Sequence, residues 1–286
     1  MIAGTGSVAG RLPGMAGSEL GAFLRSRREA VAPAEAGFPN GSRRRTPGLR
    51  RAELATLAGV SVEYLTRLEQ GRDRRPSPEI IGALAEALSL SADETVHMHR
   101  LVKSGDGRCQ WAGPPARTVR PTVRALLDRL EPAPAIVADR LGEVLAWTTG
   151  YERLAAPVGL LDVRPPHLAR FVFTDDRART VYPDWERVAD ERAAALRAAA
   201  ALGDPYAADL AKELTAAAGA SFGDRFTAPG ALPGYTGVER WAHPVAGELR
   251  LAYESLELPD ADEQRLVVYL PADDAASTAL DHLTAG

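Results

Sequence analysis

The sequence predicts a two-domain α+β protein, in which an all-α domain is followed by a domain of mixed α and β structure. The length of 286 residues favours two domains, since a domain usually has about 100–200 residues. After about residue 130 the hydrophobic pattern changes from helical spacing to the alternation of strands. The two halves also differ in charge.

The charge asymmetry indicates different partners for the two halves. Residues 1–103 carry 15 Lys and Arg against 11 Asp and Glu, whereas residues 104–286 carry 19 against 27. Nine arginines lie between Arg43 and Arg75. Such clustering suggests that the first half contacts a polyanion, and a solvated basic face is the alternative interpretation.

The composition excludes several classes of protein. Hydrophobic residues make up 45% of the chain and charged residues 25%, as in proteins with a buried core. No apolar run approaches the ~20 residues that cross a bilayer, so we expect no membrane insertion. The single cysteine, Cys109, allows no internal disulfide. Because the N-terminus also lacks a signal-peptide pattern, the expected location is the cytoplasm.

The first domain is predicted to follow a Gly- and Ala-rich extension. Residues 1–17 have no usable periodicity, and we expect them to be disordered. Ser18 is the predicted N-cap of a helix that runs from Glu19 to about Val31. Prolines and glycines between residues 33 and 47 then predict an irregular connection.

The next stretch, RRAELATLAGVSVEYLTRLEQGR, predicts a helix-turn-helix. Apolar residues with helical spacing form two sets: Leu54, Leu57 and Ala58, then Leu65 and Leu68. Gly59 lies between the sets, and Ser61 stands where the second helix needs an N-cap. Two short helices joined by a Gly-containing turn are the pattern of this motif. Apolar positions in residues 80–88 and 95–102 predict two further helices.

The second domain is predicted to begin after a linker. Residues 104–118 are rich in Gly and Pro, which places the domains at residues 18–103 and 119–286. The predicted elements of the second domain are a helix over residues 121–130, two strands within 135–147, Ala-rich helices within 182–219, and strands around 249–253 and 264–271.

These motifs resemble a known family. The helix-turn-helix stretch and its flanks resemble the xenobiotic-response-element (XRE) type, which has the phage-repressor fold. Together with VRPTVRALLDRLEPAPAIVADRLGEVLAW, VYPDWERVA, HPVAGELRLAYESL and QRLVVYL, they resemble the MmyB-like transcription regulators, whose ligand-binding domain is PAS-like. The resemblance covers nearly all of residues 18–284. The chain departs from the family at Thr148, where Asn is usual, and over residues 223–238.

The second helix of the motif is predicted to enter the major groove of DNA. Its outward residues are the expected base contacts: Ser61, Val62, Glu63, Thr66 and Arg67. Arg67 has the donors that guanine O6 and N7 accept, Glu63 can accept from cytosine N4, and Val62 can pack on a thymine methyl. For each residue the alternative is an ordinary exposed position on a helix.

The remaining basic residues are expected to contact the DNA backbone, which adds affinity without sequence information. They are Arg43, Arg44, Arg45, Arg51, Arg72, Arg74 and Arg75. The resemblance also implies that Arg28 and Glu69 form a buried salt bridge, so their predicted role is structural.

The second half shows no catalytic constellation. His97 and His99 lie on different helix faces, and the chain has no Cys/His cluster. We therefore predict a protein that is not an enzyme and has no metal site and no cofactor. The apolar and aromatic residues of this half predict a core or an apolar pocket. The candidate pocket residues are Trp147, Phe171, Tyr182, Trp185, Tyr253 and Arg170.

The predicted function is that of a homodimeric transcription regulator that binds a double-stranded DNA operator. The resemblance implies that the second domain senses a small apolar, fatty-acid-like effector, whose polar head Arg170 or Tyr182 would bind. The alternative is a second domain that serves only for dimerisation or protein docking, without a ligand.

Overall fold

The computed structural model describes residues 16–38, 48–73, 75–104, 113–201, 203–228, 232–258 and 264–284. Within these ranges it divides into two compact units: the first comprises residues 16–91 and 98–104, and the second residues 92–97 and 113–284. The helices up to residue 104 are α1 (Ala16–Ala30), α2 (Arg51–Leu57), α3 (Val62–Glu69), α4 (Pro78–Ala87) and α5 (Ala92–Ser104). All of them belong to the first unit except the first six residues of α5. The prediction of an all-α first domain is confirmed.

The core of the first unit consists of side chains at helical spacing. Leu54 on α2 and Leu65 and Leu68 on α3 are fully buried. Each of these helices therefore presents one apolar side to the interior. The other fully or almost fully buried side chains are Leu24, Leu49, Leu84, Met98 and Leu101. The predicted start of the first helix is wrong, because α1 begins at Ala16 and Ser18 lies inside it.

The turn between α2 and α3 has the features that the sequence predicts. Gly59 has φ +64°, a left-handed conformation that is strained for residues with a Cβ. The Ser61 hydroxyl accepts a hydrogen bond from the Tyr64 amide at 3.1 Å. This bond satisfies one of the free amides at the start of α3, so α3 begins at Val62, directly after the turn.

The second unit is an antiparallel sheet with helices. Its strands are β1 (Ala135–Ala138), β2 (Val144–Trp147), β3 (Thr236–His243), β4 (Gly247–Glu257) and β5 (Arg265–Pro271), in the order β2-β1-β5-β4-β3. Its helices are α6 (Pro121–Arg129), α7 (Thr149–Ala155), α8 (Leu168–Thr174), α9 (Ala178–Val181), α10 (Trp185–Ala201), α11 (Pro205–Ala218), α12 (Ala220–Thr227) and α13 (Asp274–Thr284). This composition confirms the α+β prediction.

The two faces of the sheet have separate cores. On one face, Trp241, Leu251 and Tyr269 pack with residues of α7, α8 and α10 to α13. On the other face, Val123 and Leu127 of α6 pack against β1 and β5. Helix α10 packs against α8, α11 and α12, and α13 packs against β4 and β5.

Several elements were not predicted. They are α7, α8, α9, α12, α13 and β3. Residues 223–238, where the chain departs from the family, form the end of α12 and the start of β3, and residues 229–231 of that stretch lie outside the described ranges. Thr148 is the N-cap of α7, and its hydroxyl accepts a hydrogen bond from the Tyr151 amide at 3.1 Å. A side-chain oxygen at this position therefore begins a helix, as that of Asn also can.

Within the part of the chain that the structure covers, no helix has the length and the apolar character that crossing a membrane requires.

Candidate nucleic-acid interface and effector cavity

The outward side of α3 presents a short polar surface beside its N-terminus. Ser61, Glu63 and Arg67 are exposed, and Val62 keeps 39% of its surface accessible. Thr66 is half-buried, and its hydroxyl donates to the Val62 carbonyl at 2.7 Å. The five predicted base-contact residues thus lie together, and four of them are accessible to a partner.

The ring of Tyr64, one helical turn earlier, positions the Arg67 side chain. The Arg67 guanidinium carbon lies 5.5 Å from the centre of the Tyr64 ring, within the range of a cation–π interaction. Burial raises the pKa of Tyr64, and the Asp73 carboxylate adds to this effect. Tyr64 therefore keeps its phenol proton at neutral pH and offers Arg67 an uncharged ring.

Glu69, at the C-terminal end of α3, connects three helices. Its carboxylate is fully buried and accepts hydrogen bonds from Arg28 Nε and Arg51 Nε, each at 2.7 Å. Arg28 also donates to the Leu49 carbonyl at 2.8 Å. The structure thus places Arg28 and Glu69 in direct contact, and a charge-assisted pair of this kind fixes the position of α3 relative to α1.

Arg51 contacts Glu69 and still keeps 42% of its side chain exposed. Arg72 and Arg75 are exposed as well. Of the other predicted backbone contacts, Arg43, Arg44, Arg45 and Arg74 lie outside the described residues.

Two further arginines near this surface were missed by sequence reasoning. Arg50 is exposed immediately before α2, and its amide donates to the Glu53 carboxylate at 2.7 Å. Arg25 keeps 48% of its side chain exposed and lies 3.9 Å from Glu69. Arg50 could have been predicted from sequence, because it stands next to Arg51. Arg25 could not, because only the fold brings it close to α3.

In the second unit, four of the predicted pocket residues are core residues: Phe171, Tyr182, Trp185 and Tyr253. Tyr182 packs edge-on against Phe171 and Trp241, with ring centres 6.3 and 5.2 Å apart. The indole of Trp185 donates to the Val172 carbonyl at 3.0 Å. These side chains fill an aromatic cluster with their neighbours.

Of the other candidates, Trp147 and Arg170 lie outside the buried core, and Tyr253 belongs to it. Trp147 is half-buried and the Arg164 guanidinium lies over its ring at 5.6 Å. Arg170 pairs with Glu213 at the surface. Tyr253 lines a cavity. The structure therefore does not bring the six predicted pocket residues together in one site.

The cavity has a volume of about 60 Å³ and is bounded by residues of the β1–β2 turn, β4, β5, α8 and α10. Its apolar lining includes Leu168, Leu196 and Val267, and its polar lining includes Arg192 and Ser255. Gly234 also borders it, and a Cβ there would come within 2.3 Å of the Tyr253 hydroxyl. The glycine therefore allows the chain to pass close to Tyr253.

A buried ion pair lies beside this cavity. Arg192 donates through a terminal nitrogen to Glu239 at 2.9 Å, and Glu239 is 1% exposed. The Trp241 indole donates to the other Glu239 oxygen at 3.1 Å. Burial alone would lower the pKa of Arg192, but the Glu239 carboxylate raises it. Arg192 is therefore charged.

Carboxylates and phenols around the ion pair are strongly desolvated. The Tyr253 hydroxyl donates to Glu191 at 3.4 Å. Burial raises the pKa of both groups, and each is further affected by charged neighbours. The cavity therefore combines an apolar wall with a charged and hydrogen-bonding wall, a combination typical of small-molecule sites.

His167 borders a neighbouring open groove and is the N-cap residue of α8, where its Nδ1 accepts a hydrogen bond from the Arg170 amide. Burial lowers its pKa to about 3, and the Arg170 charge contributes in the same direction. Across the described ranges, no three or more His, Cys, Asp or Glu side chains gather as a metal site would require.

Comparison with known families agrees with both parts of this arrangement. Residues 19–98 match a helix-turn-helix domain. Residues 119–283 match the MmyB-like transcription regulator ligand binding domain. No curated protein matches the chain. Because the second match spans more than half of the sequence, the resemblance is confirmed, and the chain belongs to the MmyB-like transcription regulators, as a DNA-binding regulator with a ligand-binding domain.

Proposed function

We propose that the protein binds a near-palindromic DNA operator as a cytoplasmic homodimer, and that a small fatty-acid-like effector in the second unit changes its operator affinity. The observation that carries the DNA part is the exposed N-terminal side of α3, with Arg67 held against Tyr64. In helix-turn-helix proteins these positions enter the major groove.

Within this proposal, base reading belongs to Ser61, Val62, Glu63, Thr66 and Arg67. Backbone contact belongs to Arg51, Arg72 and Arg75, together with Arg43, Arg44, Arg45 and Arg74, and the exposed Arg50 joins them. The DNA-binding domain is taken as residues 18–103 and the effector domain as residues 119–286.

We propose a homodimer because one helix-turn-helix contacts too few base pairs to specify an operator. A single recognition helix contacts only a few base pairs, and dimers bind half-sites about 34 Å apart, one helical turn. We assign the dimer contact mainly to the second unit, because the DNA-facing side of α3 must stay free. An effector then changes affinity only if it prefers one arrangement of the two DNA-binding domains.

The small volume of the cavity favours a second candidate for the effector domain. At about 60 Å³, it is well below the ~150 Å³ of a cavity that holds benzene, and long hydrocarbon chains need more room. The exposed apolar residues Val238, Leu256 and Leu270 would suit a docking or dimerisation surface. In this second candidate the domain binds no ligand.

One experiment separates the parts of the proposal. Selection of bound sequences from a random DNA pool is expected to yield two related half-sites with a fixed spacing, and sedimentation of the full chain is expected to give a dimer. A single unpaired site together with a monomer at micromolar concentration would contradict the homodimer. Ligand binding is measured separately, by calorimetry and thermal shift with fatty acids of increasing chain length, and no binding by any of them would favour the second candidate.

A further inference from the structure

Glu63 lies at the centre of the outward side of α3. The buried residues of this helix are Leu65, Leu68 and Glu69. With about 3.6 residues per turn, the side of the helix opposite to these three residues passes through Glu63, which is exposed. An orientation of α3 that presents this side to the bases therefore brings the Glu63 carboxylate into the major groove.

The basic side chain one turn after Glu63 is engaged elsewhere. Arg67 follows Glu63 by four positions, a spacing at which a carboxylate and a guanidinium can pair. Instead, the Arg67 guanidinium carbon lies 5.5 Å from the centre of the Tyr64 ring. No ion pair joins Glu63 to another residue in the described part of the chain. The carboxylate therefore carries its charge into the groove without a counter-charge from that part.

The other side chains one helical turn away do not offer a donor to this carboxylate. The Thr66 hydroxyl donates to the Val62 carbonyl at 2.7 Å, so its proton is already used. Gly59 and Val60, one turn earlier, have no polar side chain. The N-terminal turn of a helix favours a negative charge whether or not DNA is bound. An effect on DNA binding is therefore needed to show a role beyond helix stability.

A carboxylate in the groove has opposite effects on different DNA sites. The major groove is about 12 Å wide, so a charge at its centre lies about 6 Å from either edge. At this distance in water, one pair of like charges lowers the affinity about threefold. An amino group on cytosine N4 or adenine N6 can donate to the carboxylate and offset the repulsion. Where the facing base presents guanine O6 or thymine O4, two acceptors meet and nothing offsets it.

We propose that Glu63 gives specificity mainly by repulsion. In the operator its carboxylate accepts a hydrogen bond from an amino group of cytosine or adenine, and it repels DNA that presents only acceptors at that position. This inference rests on the proposed function, because it takes α3 as the helix that enters the major groove. It assigns to Glu63 the exclusion of wrong sites, whereas Arg67 contributes an attractive contact.

The first test compares the full chain with its Glu63→Gln variant. Both proteins are used for selection from a random DNA pool, and their affinities for the selected operator and for random duplexes are measured by fluorescence anisotropy. Glutamine has almost the same shape without the charge, so the affinity for random DNA is expected to rise about threefold. Discrimination between operator and random DNA is expected to fall about tenfold. The selected sequence is expected to change at one base pair in each half-site.

Glu86→Gln is the matched control for the loss of charge. Glu86 is exposed and lies near the C-terminal end of α4, in the same unit. Because distant charges are screened, this variant is expected to raise the affinity for random DNA by less than about twofold and to select the parent sequence. An equal rise for both variants would indicate general repulsion and would overturn the inference.

The second test removes the amino group from the DNA. At the base pair that Glu63→Gln identifies, the cytosine is replaced by the pyrimidinone without an amino group, or the adenine by purine. The affinity of the parent protein is expected to fall about tenfold, whereas Glu63→Ala is expected to bind both duplexes equally. The same replacement at another base pair of the operator controls for weaker base pairing and should affect both proteins alike.

The outcomes are distinguishable. If Glu63 only orients Arg67, Glu63→Gln will lower operator affinity without raising the affinity for random DNA, and the inference is wrong. An unchanged selected sequence with unchanged affinity for random DNA would also overturn it, while DNA reading by α3 would stand. If the parent protein enriches no sequence at all, the DNA-reading part of the proposed function fails, and the inference fails with it.

Discussion

Arg28 Nε and Glu69 Oε1 lie 2.7 Å apart in the interior of the first unit. Forty-one positions separate the two residues in sequence, and their contact joins α1 to the last turn of α3. Arg51 at the start of α2 binds the second carboxylate oxygen. One carboxylate therefore sets the position of the helix that is expected to read DNA.

Removing that carboxylate should destabilise the first unit. Glu69→Gln leaves the buried Arg28 with only the exposed Glu29, 3.4 Å away, as a counter-charge, and breaking a buried pair in this way costs about 3–5 kcal/mol. Hydrogen exchange of the α1 and α3 amides in the full chain measures the loss without interference from the second unit. Glu63→Gln, on the exposed part of the same helix, is the control and should change protection by less than ~0.5 kcal/mol.

Arg67→Ala should reduce sequence discrimination. We expect a loss of about 1–3 kcal/mol on the selected operator and little change on random DNA. Arg72→Ala, at an exposed position after α3, should weaken both equally and lower the salt slope by about 1. Fluorescence anisotropy at several salt concentrations measures both effects. An equal loss on both DNAs for Arg67→Ala would remove its base-reading role.

Tyr64→Leu should act through Arg67. The substitution keeps an apolar side chain but removes the ring that lies 5.5 Å from the Arg67 guanidinium. An interaction of this type at an exposed site contributes about 0.5–1 kcal/mol, so the specific operator affinity should fall by about two- to fivefold. If Tyr64 positions Arg67, the same change in the Arg67→Ala background will have almost no further effect, whereas additive losses would show that the two residues act independently.

Thr148→Val should destabilise the second unit. The buried hydroxyl caps α7, accepts from the Ala135 amide at 2.9 Å and donates to the Ala133 carbonyl at 2.8 Å. Valine has nearly the same shape but offers none of these bonds, and we expect a loss of about 1–3 kcal/mol. Thr148→Asn keeps a capping oxygen and should cost less. Urea unfolding followed by tryptophan fluorescence reports on this unit.

His167 should make the second unit sensitive to acid. Its native pKa is about 3, below the ordinary value of ~6.5, so between these values the unfolded chain binds a proton that the native chain does not. Stability is therefore full above about pH 6.5 and falls as the pH decreases, by about 1.4 kcal/mol per pH unit. His167→Asn, which keeps a helix-capping side chain, should lose about 2 kcal/mol less than the parent between pH 7 and pH 5. Equal acid sensitivity of both proteins would show that His167 is not the responsible group.

The sequence predicted the helix-turn-helix well because its signals are local. The apolar spacing of Leu65 and Leu68, the turn at Gly59 and the cap at Ser61 each act within a few residues. The start of α1 was predicted less well, because Ser18 is as good a capping residue as any and nothing local shows that the helix continues to Ala16.

Strand β3 was not predicted because its buried face is polar. Glu239, Trp241 and His243 point into the core, while Val238 on the other face is exposed. A strand is usually recognised by apolar residues that alternate with polar ones and face the core. In β3, polar residues occupy part of the buried face and an apolar residue is exposed, so this pattern is weak. The buried Glu239 is neutralised there by Arg192, which lies on a distant helix, and it also accepts a hydrogen bond from the Trp241 indole. No sequence pattern carries that information.

The polar part of the cavity lining was not predicted for a related reason. Of the aromatic candidates, Tyr253 borders the cavity, whereas Tyr182 packs edge-to-face with Phe171 and Trp241, and Trp185 with Phe173. The cavity also borders Arg192 and Ser255, residue types that composition alone assigns to the surface.

The order of strands in the sheet means that the second unit can complete its folding only late in synthesis. Strand β5 lies between β1 and β4, so the first hairpin and the last hairpin of this sheet do not meet until residues 265–271 have left the ribosome. The helices of the first unit are all complete by residue 104, and they emerge long before that point. A chain terminated early in translation would therefore retain the helix-turn-helix but lack the unit to which we assign the effector and the dimer contact, and its unpaired strand edges would make it prone to aggregation.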